Sequence, residues 1–362
     1  MNKLYFSGGE IKHDSKHPSI KRRFSTFSRR KELKLWDWKN GSSDKGLVLV
    51  SQSSDLTYWK RFYSDKIVVV FESNDPYLLD KTRSVKQLFR GLFKYITRAH
   101  RYLEIYFKKT VRDLCSRADA VVVGHHMVYE MLKSSIPNIH LIPDYSVALT
   151  SRQKGDYNLS DNGEINIFWE GLGSSFLPFE EINRIFKPLI GYNFVFHFVT
   201  DLSFYAISDM YQKKYVFEVA KKMAPDFYKS FRFYQWSEFS FSNIGTMCDF
   251  GIIPLPFNNG INYYKPENKL VQMWRLGLPT ITSAIPSYKK LNNESELKDC
   301  CYDDYEWRKC ILRFIENKSQ RERNARIGMG YVNLHYSDQV IDSKWQKVLD
   351  SLTAVRTNKQ GN

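Results

Sequence analysis

Residues 265–283 read KPENKLVQMWRLGLPTITS. The spacing predicts a helix over 266–276, opened by Pro266 in its first turn. Gly277 ends that helix and Pro279 starts a buried strand. Met273, Trp274 and Leu276 are expected in the core or in an interdomain contact. Lys265, Asn268 and Lys269 gather at the helix start, the end where cations oppose the helix dipole. An anionic ligand is one reason for such a cluster. Local pairing with Glu267 is the other.

Outward from this stretch, CDFGIIPL (248–255) reads as the preceding buried strand. INIFWEG (165–171), YNFVFHFVT (192–200) and KSFRFYQW (229–236) are earlier ones, with helical segments between them. Helices at 304–329 and 337–354 close the chain. The first 145 residues alternate in the same way. Their strands are LYFSG, KLWDW, GLVLV (46–50), KIVVVF (66–71), ADAVVVG (118–124) and NIHLIPD (138–144). Short apolar strands alternating with helices point to parallel sheets covered on both faces. A chain of 362 residues exceeds one ordinary core. The expected division is a first domain at 1–148, a polar linker at 149–163 and a second domain at 164–330, followed by 331–362.

The formal charge of +15 favours a polyanionic partner: nucleic acid, an acidic membrane surface or phosphorylated substrates. The five cysteines are odd in number and lack zinc-type spacing, so reduced thiols are expected. MNKLYFSGGE lacks the apolar core of a signal peptide, and a cytoplasmic chain is the expectation. Residues 81–117 carry eleven Lys/Arg against Glu104 and Asp113. Val85, Leu88, Phe89, Leu92, Phe93 and Ile96 recur there at helical spacing. This suits an anionic membrane surface on the cytoplasmic side, or a solvated basic face on a packed helix. Nucleic acid is not expected, because no recognised motif accompanies the charge.

Ligands of open α/β sheets bind beyond the carboxyl ends of the strands. In WEGLGSS (169–175), Gly171 and Gly173 allow close backbone approach and Ser174 can donate a hydrogen bond. A phosphate site or a plain glycine-rich turn fits this loop. In FESNDPY, Glu72 and Asp75 could act as general base or hold a substrate hydroxyl, although an Asx turn before Pro76 also fits. His13, His17, His125 and His126 fall in loops, where solvated histidines are common. The adjacent His125 and His126 should point different ways on a helix, so no metal set is expected.

Taken together, SGGEIKHDSKHPSIKRR, RADAVVVGHHMVYEMLKSSIPNIHLIPDYSV, INIFWEGLGSS and CDFGIIPLPFNNGINYYKPENKLVQMWRLGLPTITSAIPSY resemble segments of the GT-B glycosyltransferases, most closely glycosyltransferase family 4. YVNLHYSDQVIDSKWQKVL resembles that family's closing helix, which crosses back to the first domain. The resemblance implies two Rossmann-like domains facing a cleft, the GT-B architecture. It implies a nucleotide-diphosphate sugar donor on the second domain, a glycan or lipid-linked acceptor on the first, and retaining, metal-independent transfer without a cofactor. Lys265 and Lys269 would hold the diphosphate, with Gly171, Gly173 and Ser174 across from them. Asn268 and Gln272 would meet the nucleotide, and Asp75, Glu72 or His125 the acceptor. Family members commonly carry Glu-(seven residues)-Glu where this chain has Tyr264 and Gln272. A catalytically silent GT-B protein that binds glycan or scaffolds a partner enzyme is the alternative, and a nucleotide-sugar epimerase a third.

Overall fold

The computed structural model describes residues 3–8, 22–38, 45–73, 78, 85–175, 177–205, 213–256 and 260–359. The chain divides into two compact units, 1–145 with 338–362, and 146–337.

The first unit holds a six-stranded sheet in the order β2-β1-β3-β4-β5-β6. Its strands are β1 (Leu4–Ser7), β2 (Leu35–Asp37), β3 (Gly46–Ser51), β4 (Ile67–Ser73), β5 (Ala120–Val123) and β6 (Ile139–Leu141). All pair in parallel. The continuous apolar runs of β3 and β5 are buried throughout, as a sheet covered on both faces requires. Helices α1 (Phe24–Arg30), α2 (Leu56–Trp59), α3 (Val85–Ile96), α4 (Phe107–Arg117) and α5 (His126–Leu132) belong to this unit.

The second unit begins with β7 (Ile165–Glu170), α6 (Leu177–Phe186), β8 (Phe194–Thr200) and a ribbon of β9 (Ser203–Tyr205) and β10 (Lys213–Tyr215). Then come α7 (Val216–Met223), β11 (Phe231–Gln235), α8 (Glu238–Met247), β12 (Phe250–Ile253), α9 (Asn268–Arg275) and β13 (Thr280–Ser283). It ends with α10 (Pro286–Glu294), β14 (Cys300–Cys301), α11 (Asp304–Glu316) and α12 (Lys318–His335). The sheet order β11-β8-β7-β12-β13-β14, parallel throughout, is the doubly wound dinucleotide-fold order once the ribbon is set aside. Strand order reverses between β7 and β12, so their carboxyl ends flank the crevice.

Several expectations change. The polar segment 149–163, expected as a linker, packs as a strap on the second unit. The Lys154 N–H donates to the Leu276 carbonyl at 2.7 Å, the buried Tyr157 hydroxyl to the Gly277 carbonyl at 3.0 Å, and Arg321 to the Tyr157 carbonyl at 2.7 Å. The helix expected at 304–329 breaks at Asn317. That residue is extended (φ −127°, ψ 98°), and its side chain caps the next helix by accepting from the Gln320 N–H at 2.9 Å. Helix α9 starts at Asn268 rather than 266, leaving Pro266 before Glu267 at the N-cap.

Gly277 ends α9 as expected, and β13 begins at Thr280, one residue after Pro279. Gly277 lies at φ +72°, its N–H donates to the Trp274 carbonyl, and the Leu278 N–H donates to the Met273 carbonyl. These two bonds form a Schellman motif, which only glycine enters without strain. From Asp338 the chain returns to the first unit as α13 (Asp338–Lys359). Ile341, Trp345, Val348 and Leu352 join that unit's core. Among the described residues no helix is long and apolar enough to cross a membrane. All five cysteines are free of disulfides.

Candidate functional site

The site of the second unit is built where β7 and β12 part. β7 ends in Trp169 and Glu170, both buried. The ammonium of Lys269, on the first turn of α9, reaches back to this strand end. It donates to the Glu170 carbonyl at 2.5 Å, lies 3.9 Å from the Glu170 carboxylate and sits 4.8 Å from the centre of the Trp169 ring. Gly171 makes the arrangement sterically feasible. A Cβ there would lie 2.5 Å from the Lys269 Nζ and 2.4 Å from the Trp169 ring. Trp236 fixes the other oxygen of Glu170 by donating its Nε1–H at 3.1 Å. The cation therefore does not stand unbalanced at a helix start. A carbonyl, a carboxylate and an aromatic face hold it at the sheet's carboxyl edge.

Lys265 has different surroundings. It is half-buried just before α9, and no carboxylate among the described residues is ion-paired with it. Burial first, and repulsion from Lys269 second, push its ammonium down to about 8. Its carbonyl accepts from the Ser287 hydroxyl at 2.6 Å, which ties the loop to α10. Glu267 does not provide the local lysine pair that was the alternative: its carboxylate is buried and accepts from the Tyr336 hydroxyl at 3.2 Å.

Asn268 opens α9 half-buried. Gln272, one turn on, is 3% exposed, and its side chain makes no hydrogen bond to any described residue. Gly173 packs on the segment after β8: its N–H points to the Asp201 carboxylate at 3.4 Å, and a Cβ would meet the Asp201 carbonyl at 2.5 Å. Ser174 is exposed at the tip of this turn. Lys269 and Gly171 thus come together, while Gly173 and Ser174 form the outer part of the same loop.

In the first unit, Glu72 is the penultimate residue of β4 and His125 follows β5. Glu72 is not a free base. The buried Arg23 guanidinium binds its carboxylate at 2.5 Å and that of Asp144, also at 2.5 Å, and donates to the Ile142 carbonyl at 3.1 Å. The two carboxylates favour the charged guanidinium against the cost of its burial, and its pKa is raised. Gly124 leaves room for it, since a Cβ there would lie 2.8 Å from Arg23 Nη1. His125 is the N-cap of α5. Its Nδ1 accepts from the Met127 N–H at 3.1 Å, which leaves the neutral ring's proton on Nε2. The rings of His125 and His126 do not diverge but stack, 5.2 Å apart and 13° from parallel, because His125 lies outside the helix. Asp75, His13 and His17 lie outside the described residues. Among the described residues no group of three His, Cys, Asp or Glu is placed to hold a metal.

Sequence reasoning missed Glu170, Trp236, Arg23 and Asp144. The only signal for the acids was a carboxylate directly after an apolar strand.

No protein-family model matches the chain, and neither does any curated protein by sequence. Solved structures do match. Sucrose-phosphate synthase from Thermosynechococcus elongatus is 12% identical with a TM-score of 0.56, over 85% of this chain and 74% of that one. TarM is 9% identical with a TM-score of 0.57, over 84% of this chain. The chain spans 55% of TarM's length. A glycosyltransferase from Rickettsia africae is 9% identical with a TM-score of 0.56, over 96% of this chain and 90% of that one. These are GT-B glycosyltransferases. The fold is GT-B. At 9–12% identity this likeness concerns the two Rossmann-like units and not the chemistry.

Proposed function

We propose that the chain transfers a sugar from a nucleotide-diphosphate sugar to a glycan or lipid-linked acceptor, in surface polysaccharide or glycolipid synthesis. The observation that carries this reading is Lys269, held over Gly171 at the strand-order reversal with Lys265 beside it. Two cations there suit a diphosphate. In the reaction the bond from the sugar's anomeric carbon to the diphosphate oxygen breaks, and its electron pair leaves with the diphosphate. The acceptor hydroxyl oxygen forms the new bond and gives up its proton. Lys265 and Lys269 would offset the growing negative charge in a metal-independent reaction. Asn268 and Gln272 would meet the nucleotide, and Gly171, Gly173 and Ser174 the phosphates.

On the acceptor side the candidates are His125, Asp75 and Glu72, the last already engaged by Arg23. Retention of configuration is the outcome the family resemblance suggests. One matched structure, Staphylococcus aureus TarM, was crystallised as a variant with fondaparinux, α-GlcNAc-glycerol and UDP. We infer further that the chain meets an anionic membrane surface from the cytoplasmic side through 81–117.

A screen of nucleotide-sugar donors for hydrolysis or binding tests the reading. With a donor in hand, Lys269→Ala should abolish transfer while circular dichroism reports an intact fold. Unchanged turnover would sink the assignment. The alternative, a silent GT-B protein, draws on Tyr264 and Gln272, where the family usually carries carboxylates. It gains support if no nucleotide raises the melting temperature.

A further inference from the structure

We propose that Cys301 and Cys310 of the second unit are a reversible redox pair, closing to a disulfide when a peroxide oxidises the Cys310 sulfur. This pair stands apart from the function proposed above and rests on other residues. Cys301 ends the edge strand β14, and Cys310 lies on α11, which packs over that strand. Both side chains belong to one core, at 0% and 6% exposed. Their sulfurs are in contact: the Cys301 thiol donates a hydrogen bond to Cys310. Sulfurs already touching on two packed elements meet the first geometric requirement of a bridge.

Cys310 is the sulfur prepared to react. Arg313, one turn further along α11, sets a guanidinium nitrogen 3.4 Å from it. That guanidinium is itself held, by the Asp299 carboxylate at 2.5 Å and the Lys298 carbonyl at 3.1 Å. Asn324 of α12 fixes the other Asp299 oxygen at 2.6 Å. Protonated, the Cys310 thiol donates to the Lys298 carbonyl at 3.5 Å; ionised, it accepts from Cys301. The bond from Cys301 favours the thiolate, burial opposes it, and Arg313 outweighs the carboxylates of Asp299 and Glu306, so the Cys310 pKa falls. The other four thiols go the opposite way. Burial pushes Cys115 up to about 12 and Cys300 up to about 11, and raises Cys248 as well. Cys301 is raised by its bond to Cys310 and then by burial. One poised sulfur beside one resolving thiol is the arrangement of a redox couple rather than of inert core cysteines.

The step balances with hydrogen peroxide as the oxidant, a molecule small enough for a thiol of low exposure. The Cys310 thiolate attacks one peroxide oxygen. The S–O bond forms, the O–O bond breaks, and hydroxide leaves with the electron pair. Cys301 then gives up its proton and attacks the Cys310 sulfur. The S–S bond forms, the S–O bond breaks, and that oxygen leaves as water. Two electrons pass from the two sulfurs to the peroxide. A thiol reductant reverses the bridge by exchange. The bridge closes over residues 302–309 and fastens the last strand of the sheet to the helix above it.

The test treats the folded full chain with hydrogen peroxide, caps the remaining thiols with N-ethylmaleimide and maps the peptides by mass spectrometry. A Cys301–Cys310 link is expected, erased by dithiothreitol and still formed in Cys300→Ser. Cys301→Ser should stop at a sulfenic acid on Cys310, trapped by dimedone. Cys310→Ser should leave Cys301 unoxidised. Arg313→Met should slow the peroxide reaction at neutral pH by about tenfold or more and move its pH midpoint upward. Circular dichroism reports whether each variant is folded. If Arg313→Met is not, the cysteine-to-serine variants, which exchange a single atom, decide the matter. A link to Cys300 in place of Cys301, a link formed only in denaturant, or oxidation of Cys310→Ser at the parent's rate would overturn the proposal. So would an unchanged pH profile in folded Arg313→Met.

Discussion

Lys265 and Lys269 flank one helix start, yet a carbonyl and a carboxylate hold only Lys269. The folded chain lowers the Lys265 pKa to about 8, below an unfolded value of about 10.4. A lowered lysine pKa penalises the charged form, so the cost is fully present below pH 8. Stability therefore rises with pH between about 8 and 10.4 as the folded state sheds the proton first. A bound diphosphate favours the charged form and reverses this. Nucleotide binding near pH 8 should take up a proton and should weaken as pH rises above 8. Calorimetry in two buffers of different ionisation heat, with the best binder among UDP, GDP, ADP and TDP, measures that uptake. Lys265→Met should abolish it; an equal proton count in both proteins would refute the role. The sequence exposed both lysines as candidates through their position before a Gly-Leu-Pro turn. It could not separate them, because the Glu170 carbonyl comes from 99 residues away.

At the scale of elements, α9 is held from both ends of its packing. Its C-terminus is sealed by Gly277, and α12 crosses it at Gly328, where a Cβ would lie 2.7 Å from the Trp274 ring. Trp274 is 1% exposed and has no room to yield. Gly328→Ala should cost about 1–3 kcal/mol through overpacking, read as a lower urea midpoint for the second unit. Gly277→Ala should cost about 1 kcal/mol through left-handed strain. An unchanged midpoint for Gly328→Ala would mean that the two helices can separate at no cost. Helix α9 was legible because apolar spacing and turn chemistry are local. The break at Asn317 is not legible from propensity, although Asn317 and Gln320 stand at capping-box spacing, because Glu316, Lys318 and Gln320–Arg323 are good helix formers on both sides of it. Strand β14 has only two residues and gives no periodic signal.

At the scale of the whole molecule, each unit closes its own core, and the first borrows its last helix from the end of the chain. Trp345 is 1% exposed and packs against Phe24 at 4.9 Å between ring centres. Trp345→Ala should cost about 3–5 kcal/mol and act on the first unit alone. Hydrogen exchange should then show early opening of β1 to β6, with the second unit protected as before; simultaneous opening of both would refute independent cores. The sequence by itself determined that two parallel α/β units exist, where most strands and helices lie, and that the carboxyl-edge loops hold the candidate residues. Those properties follow from short-range pattern and turn chemistry. Only the tertiary structure decided the strand orders, the packing of 149–163 onto the second unit, the hold of Glu170 on Lys269 and the burial of Arg23 between Glu72 and Asp144. Parallel pairing and buried ion pairs join residues far apart in the chain, such as Arg23 and Glu72 with 49 positions between their numbers. Nothing in the local sequence states which distant partner a strand or a charge will find.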